Sequence, residues 1–432
     1  MRWRGREALL FANGIAVALG LLLLADAAGV LPRIGGGATL GTGNGYGLVY
    51  SDTKASSPGY TLIAPLRGNT AYLIDWYGKI FHEWRIPGVP ELREMATRNG
   101  LAKFGTLQAK LLLSGNLLVG YGGERFDQPK RGAMPVLLEL DWGGNVVWRY
   151  ENELMHHDFE RLPNGNTAVI VWEKLPENFA NGVKGGIPGT GKRTGMHSDA
   201  ILEIDGRGEV VWRWALWEHL NPDLPENVIS SWNARNIWTV LSSVIYVEDN
   251  PITRKPAYLV SVQRFSTVML IERESGRIIW RGGGREMLAS PASTAMTEDG
   301  NILAFDNGDI PQAQTGVVFV PHSKVVELRP AIVDGTKWVS TRSFVYAPEP
   351  PAFAGAAFFT PNAGSVQELE NGNILVSAGV TGRIFEIEKA TKRVVWDYIS
   401  PFGFALEGWP TFVMNAVYSA HRYPPGFSEF LK

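Results

Sequence analysis

The chain has 432 residues, 45% of them hydrophobic and 19% charged, with a formal net charge of −2 and no cysteine. This composition excludes a disordered chain and a multi-span membrane protein, and the near-neutral charge removes the electrostatic case for a nucleic-acid partner. Without cysteine there are no disulfides, no thiolate metal sites and no cysteine nucleophile.

Arg2, Arg4 and Arg6 precede an apolar run from Ala8 to Ala25, interrupted by Asn13 and two glycines. A basic flank of this kind keeps the N-terminus cytoplasmic and exports the rest of the chain. Two readings compete. A cleaved signal peptide would use Ala25-Asp26-Ala27 as its small-residue site. An uncleaved anchor would use the whole run, which is close to the length that spans a bilayer. The anchor is the leading expectation, with residues 1–31 as the anchor or signal segment. A Gly-rich tether follows over residues 32–57, and IGGGATLGTGNGYG within it reads as flexible.

From there one phrase recurs: apolar alternation, an acidic residue, a glycine turn, an apolar pair and tryptophan. It reads AYLIDWYGKIFHEW from Ala71, VLLELDWGGNVVWRY from Val136 and AILEIDGRGEVVWRW from Ala200. It returns as VMLIERESGRIIW from Val268 and IFEIEKATKRVVWDY from Ile384, with a degraded copy, VVELRPAIVDGTKW, from Val325. Each copy predicts a hairpin. A second phrase precedes most copies: LLLSGNLLVGY at Leu111, RLPNGNTAVIVW at Arg161, TEDGNILAFDNG at Thr297 and ELENGNILVSAG at Glu368. NGN and DGN are hairpin turns, because Asn, Asp and Gly tolerate positive φ.

Two hairpins per period give four strands, and six copies predict an all-β fold, a six-bladed β-propeller over residues 58–432. Each repeated Trp should dock between blades and bury a large apolar area. Two segments exceed a minimal blade. Residues 214–238 should hold short helices. Residues 174–196 form a polar loop with a near-miss phosphate-loop motif, Gly186 to Lys192 followed by Arg193. That motif needs Ser or Thr where Arg193 stands, and a strand before and a helix after, so it predicts no nucleotide site. Lys192 and Arg193 read as solvated loop charges.

The stretches HHDFERLPNGN from His156, HSDAILEIDGRGEVVWRWALWEHL from His197, DGNILAFDNG from Asp299, and GRIFEIEKATKRVVWDYISP with NAVYSAHRYP resemble the arylsulfotransferase family. The resemblance covers about residues 58–425. It implies a six-bladed propeller that moves a sulfuryl group from an aryl sulfate to a phenol, without a nucleotide donor. It also implies a histidine nucleophile, supporting histidines and an arginine near the central channel. The chemistry explains these types. Neutral imidazole can be covalently loaded and released. By analogy with phosphoryl transfer, the peripheral oxygens carry negative charge in the transition state and need donors already aimed at them.

The chain departs from the family pattern at three of four such slots. His157 lies nine residues before the last Asn of its NGN turn; the same offset before Asn301 gives Ala292, where the resemblance implies the nucleophile. The family pattern Trp-Thr-His reads Trp238-Thr239-Val240 here, and the arginine of Ser-x-Arg-x-x-Ser is Gln263. Arg264 is adjacent, but neighbouring residues on a strand point to opposite faces, so it replaces the cation only through a bulge. The slots of two further blades hold Leu107 and Gly364.

His157 is therefore the one catalytic candidate. His156, by alternation, should face away from it and pack or lie at the surface. Asp158 caps a turn or orients an imidazole. His197 and Asp199 share a strand face and would line the channel; with His157 they would make a metal cluster only if all three converge. His82 reads as scaffold, His219 as packing, and His322 and His421 show no partner pattern. Three functions compete. The first is a membrane-anchored, extracytoplasmic propeller without sulfuryl transfer, a binding or scaffold subunit of a membrane-protein complex. The second is an active sulfotransferase with relocated residues centred on His157, taking an aryl sulfate and a phenol, with Arg264 or Lys192 as cation. The third is a metal binder. Neither of the first two requires a cofactor, and no metal ligand set is assigned.

Overall fold

The computed structural model describes residues 45–432 except 89–90, 92–93, 95–101, 125–132, 191–194, 309–321, 335–336, 348–357 and 407–408. The anchor, most of the tether, and Lys192 with Arg193 lie outside the described residues. Among the described residues, no helix is long and apolar enough to cross a membrane.

Strands pair antiparallel with their sequence neighbours, so the chain advances as meanders. One runs through Ala102–Leu111, Leu117–Glu124, Ala133–Leu140 and Val146–Glu151. The next runs through Met155–Arg161, Thr167–Lys174, His197–Ile204 and Val210–Ala215, and touches the first by one bridge, Ala133 to His156. Leu241–Val247, Ala257–Val262, Thr267–Glu272 and Ile278–Gly283 follow, then Pro291–Met296, Ile302–Asp306, Lys324–Val333 and Lys337–Tyr346. Ser365–Glu368, Ile374–Ala378, Arg383–Glu388 and Arg393–Ile399 come next, and Gly47–Ser51 adds to the outer edge of this sheet. Tyr60–Pro65, Thr70–Ile74 and Ile80–Arg85 take their first strand from the far end of the chain: Val417–Tyr423 pairs with Tyr60–Pro65, Tyr60 opposite Tyr423. The result is an all-β propeller arrangement. The 214–238 insertion holds two 3-10 turns, Leu216–Glu218 and Pro225–Asn227, as expected, and a strand, Ile229–Ala234.

The repeated phrases have local causes. The acidic residue before each glycine turn folds back on the turn: Asp75 Oδ1 accepts from the N–H groups of Tyr77 and Lys79, and Asp205 Oδ1 from those of Arg207 and Glu209. The last Asn of the second phrase reaches a glutamate on the third strand: Asn116 to Glu139 at 2.7 Å, Asn166 to Glu203 at 2.6 Å, Asn301 to Glu327 at 2.7 Å and Asn373 to Glu386 at 2.7 Å. A cation from the following meander then meets the same glutamate: Arg161 on Glu139, Arg273 on Glu203, Lys389 on Glu327 and Arg422 on Glu386. Buried carboxylates are thereby paired and hydrogen-bonded, which their burial requires.

Tryptophans join one meander to the next. The indole N–H groups of Trp84, Trp148, Trp214 and Trp280 donate to the backbone oxygens of Asp141, Gly206, Gly276 and Val339, at 2.7 to 3.1 Å. Trp84, Trp280 and Trp396 are fully buried, as expected, and so is Trp214; Trp148 and Trp212 are half-buried. The degraded copy differs. Its hairpin is longer, so Trp338 pairs with Ile332, far out along it, and is 42% exposed. The position opposite Glu327 is taken by Phe344, where Trp148, Trp212 and Trp396 stand opposite their own glutamates.

Meander topology sorts the connections. First-to-second and third-to-fourth turns fall on one face and most are tight, the connection from Val247 to Ala257 being the longer exception. Second-to-third and fourth-to-first connections fall on the other, with the 214–238 insertion among them. Binding and catalytic residues concentrate on such loops when a rigid scaffold positions them.

Candidate functional site

The first strands of the meanders converge on a central cavity of about 20 Å³. Gln108, Asp158, Ser242, Ala292, Ser365 and Tyr418 each line it, one from each first strand. A wider mouth of about 290 Å³ opens where those strands end, on the tight-turn face, between Tyr246, Met296, Gln367 and His421.

Several of the first strands share an irregularity, though Ser365–Glu368 pairs without one. Pairing slips at Leu107, between Thr106 and Gln108; at Ser242, between Leu241 and Ser243; and at Ala292, between Pro291 and Ser293. Opposite Thr167–Lys174 it slips across His156–Asp158, where His157 has φ 58. These are bulges, which re-aim side chains beside functional sites. They coincide with the slots that the NGN offset picks out. Ser242 is the member that offset misses, because its meander has no NGN turn. It is buried, it lines the cavity, and its hydroxyl has no hydrogen-bond partner.

The cavity floor is an ion cluster. The Lys110 ammonium lies 3.1 Å from Asp158 and 2.6 Å from Glu160, and donates to the Phe159 oxygen at 2.6 Å. Asp158 also accepts from the Gln108 amide, from the Val244 N–H at 2.9 Å and from the Phe159 N–H at 2.8 Å. Burial works against the Lys110 charge, but the two carboxylates more than offset it and hold its pKa above the usual lysine value. Burial raises Asp158 and Glu160, against the pull of Lys110. His421 is pushed down to about 3 by burial and by the charge of Lys110, so its imidazole is neutral. Burial and the Asp158 charge raise Tyr418.

A second cluster lies at the loop face. His156 is fully buried, its ring stacked on Trp172 with centroids 3.8 Å apart. Its Nε2 is 3.3 Å from Asp199 Oδ1 and its Nδ1 is 2.7 Å from His157 Nδ1. Asp199 accepts from the Thr239 hydroxyl, and burial raises its pKa to about 7. His157 is half-buried, and burial lowers its pKa to about 4. The expected alternation of His156 and His157 does not hold: the left-handed backbone at His157 turns both rings to one side.

Asp158 and Ala292 line the cavity; among its described lining residues His156, His157, His197, Asp199 and Arg264 do not appear. His197 is half-buried and its backbone bonds to Asn236 and Trp238. Asp158 binds Lys110, the Gln108 amide and two backbone N–H groups. Ser261–Ser266 is not a continuous strand, which corrects the opposite-faces argument for Arg264. The strand ends at Val262, a 3-10 turn covers Gln263–Phe265, and Ser266 is left-handed. Arg264 donates to the backbone oxygens of Ala234 and Ile237, and its charge acts on Asp199. Gln263 N–H bonds the Val240 oxygen at 2.8 Å, so those two slots adjoin. Among the described residues no group of three or more His, Asp or Glu has a metal-binding arrangement.

Sequence reasoning missed Lys110, Tyr418 and His421. The signal was available: Lys110 precedes the SGN turn on the same strand as the Leu107 slot, and HRY ends the strand that completes the N-terminal meander.

The family model described as Arylsulfotransferase (ASST) matches residues 136–400, more than half of the chain. No curated protein matches it. Among solved structures the chain is similar to a protein of unknown function from Bacteroides caccae, with 14% identity, a TM-score of 0.46, and coverage of 85% of this chain and 99% of that one. It is also similar to the β-propeller domain of Myceliophteria thermophila Cps50 (Swd1), with 11% identity, a TM-score of 0.42, and coverage of 83% and 90%. Virginiamycin B lyase from Staphylococcus aureus has 12% identity, a TM-score of 0.41, and coverage of 83% and 84%.

Proposed function

We propose, because this chain belongs to the arylsulfotransferase family, that it is a six-bladed, membrane-anchored member that binds without transferring a sulfuryl group. Six first strands that each give a residue to one cavity support the blade number. One observation carries the loss of transfer: Lys110, the cation of the cavity, is held by Asp158, Glu160 and the Phe159 oxygen. Its donors are turned away from any incoming sulfate, and the two carboxylates repel one. Ala292 stands beside it with no nucleophile. A cavity of about 20 Å³ has room for about one water and not for a sulfate ester.

Binding then falls to the mouth of about 290 Å³, close to the small end of ligand pockets. A phenol or the aryl end of an aryl sulfate fits its chemistry. The basic flank and apolar run of the sequence support a propeller outside the cytoplasm, and a membrane-protein complex is the partner this reading expects.

The test incubates the full chain in detergent micelles with an aryl sulfate and a phenol acceptor. No transfer is expected. The second reading, transfer centred on His157, has in its favour the Arg264 charge acting on Asp199. Transfer that disappears in His157→Ala would establish that reading and overturn ours.

A further inference from the structure

The hairpin of the degraded repeat copy projects from the tight-turn face. The second strand of its sheet begins at Ile302, which pairs with Leu328. Beyond Leu328 the hairpin runs on for five more residue pairs, from Arg329 opposite Thr341 to Val333 opposite Lys337. Among the described residues no further strand of the sheet lies beside them. At about 3.4 Å per residue they carry the turn about 17 Å past the end of the second strand. Trp280 marks the level. In other meanders the indole N–H reaches the next turn, at Asp141, Gly206 or Gly276; here it reaches the Val339 oxygen inside a strand, at 3.0 Å. Ile332, Val333, Lys337 and Trp338 therefore lie past the level at which those hairpins turn back.

The projection is amphipathic. Ile332, Val333 and Trp338 are 37%, 44% and 42% exposed. Arg329, Lys337 and Arg342 are exposed around them. With Asp334, residues 329–342 carry three cations and one carboxylate, a net charge of +2 in a chain of −2. A tryptophan has an apolar ring and one N–H, so it settles at the headgroup level of a bilayer. Lysine and arginine beside it are drawn to anionic headgroups. The point where the chain enters the fold agrees. Gly47–Ser51 lies on the outer edge of the next meander. Lys392 of that meander lies over the Phe344 ring at the base of the hairpin, at 5.6 Å. A segment the length of Asp26 to Tyr46 spans at most about 70 Å. An apolar run anchored before Asp26 thus keeps its bilayer within reach of the tip.

We propose that the 329–342 hairpin dips its tip into an anionic lipid surface and so orients the propeller against the bilayer. The proposal rests on the membrane-anchored reading for the nearness of a bilayer, and is independent of sulfuryl transfer. Three apolar side chains make an interfacial contact and not a span. Because the tip stands on the tight-turn face, insertion turns the mouth between Tyr246, Met296, Gln367 and His421 toward the headgroups.

The chain has no cysteine, so Val333→Cys gives a single attachment point for an environment-sensitive dye. Full-length protein is reconstituted in vesicles of phosphatidylcholine, with and without phosphatidylserine. In the anionic vesicles the dye should shift to the blue and be quenched by spin-labelled acyl chains. The same dye at Val211→Cys, an exposed position on another meander, should do neither. Lys337→Gln should lower the inserted-to-free ratio about 5-fold, and Trp338→Ala should abolish the quenching, with thermal midpoints little changed because both side chains are exposed. A tip dye that stays in water, or that responds equally in neutral vesicles or equally at Val211→Cys, overturns the proposal. So does a shift that follows protein concentration and ignores lipid, which marks a second copy of the chain. Alkaline carbonate treatment of the same vesicles reports the anchor separately: release of the chain sinks the anchor reading, while the dye signal before treatment still decides the hairpin.

Discussion

The indole N–H of Trp396 donates to the backbone oxygen of Trp76 at 3.0 Å, across 320 positions of sequence. The same bond joins Trp84 to Asp141 and Trp214 to Gly276, where the separations are 57 and 62. The long separation is therefore the same step, taken across the point where the end of the chain meets its beginning. Trp396→Phe keeps an aromatic ring but leaves the Trp76 oxygen without its donor. It should cost about 1–3 kcal/mol, read as a lower denaturant midpoint with an unchanged slope.

Arg422 and Glu386 meet at the same junction, at 1% and 0% side-chain exposure. Arg422 also lies over the Trp396 ring at 4.3 Å and donates to the Ser57 oxygen. Arg422→Ala strands a buried carboxylate and should cost about 3–5 kcal/mol. Replacing both partners, as Arg422→Met with Glu386→Leu, should recover much of that. A double-mutant cycle in urea measures the difference.

Lys110→Met removes the counter-charge of Asp158 and Glu160 and should destabilise by about 3–5 kcal/mol near neutral pH. Both carboxyls already have pKa values raised by burial. The deficit should shrink as pH falls, because protonation removes the stranded charges. Unfolding curves of variant and wild type across acidic pH check this.

His421 and His157 titrate at about 3 and about 4 in the folded chain, below the usual 6.5 of an imidazole. The unfolded chain binds their protons first. Their contribution is therefore fully present above about pH 6.5 and is lost as pH falls toward 4 and 3. Asp199 runs the other way: raised to about 7 from 3.8, it favours the folded state increasingly as pH falls through that window. His421→Gln should flatten the acid loss of stability, and Asp199→Asn should steepen it. Thermal midpoints from neutral to mildly acidic pH distinguish the two.

The anchor reading predicts that the full chain resists alkaline carbonate extraction from membranes, as an 18-residue apolar run from Ala8 to Ala25 would. Release of the protein into the soluble fraction would instead indicate cleavage near Ala25-Asp26-Ala27.

The meanders were legible because their signals are local. NGN turns and Asp-Gly turns are set by residues two to four positions apart, and the tryptophan follows at fixed distance. The bulge slots were legible where an NGN turn gave the register, at Leu107, His157 and Ala292. Ser242 was hidden because its meander lacks that turn. The ion cluster was hidden for another reason. Lys110, Asp158 and His421 come from three first strands, and nothing in a strand's own pattern says which side chains of other strands share its axis. The facing of His156 was misread because a single left-handed residue cancels the period of two.

Val417–Tyr423 is the first strand of the meander that Tyr60–Pro65 continues. During synthesis, then, the earliest propeller hairpins must wait with a bare hydrogen-bonding edge while more than three hundred residues emerge. An unpaired edge of that kind invites mispairing. A chaperone guarding the nascent chain would have its longest task at Tyr60–Pro65, and a frameshift late in the message would harm the opposite end of the polypeptide first.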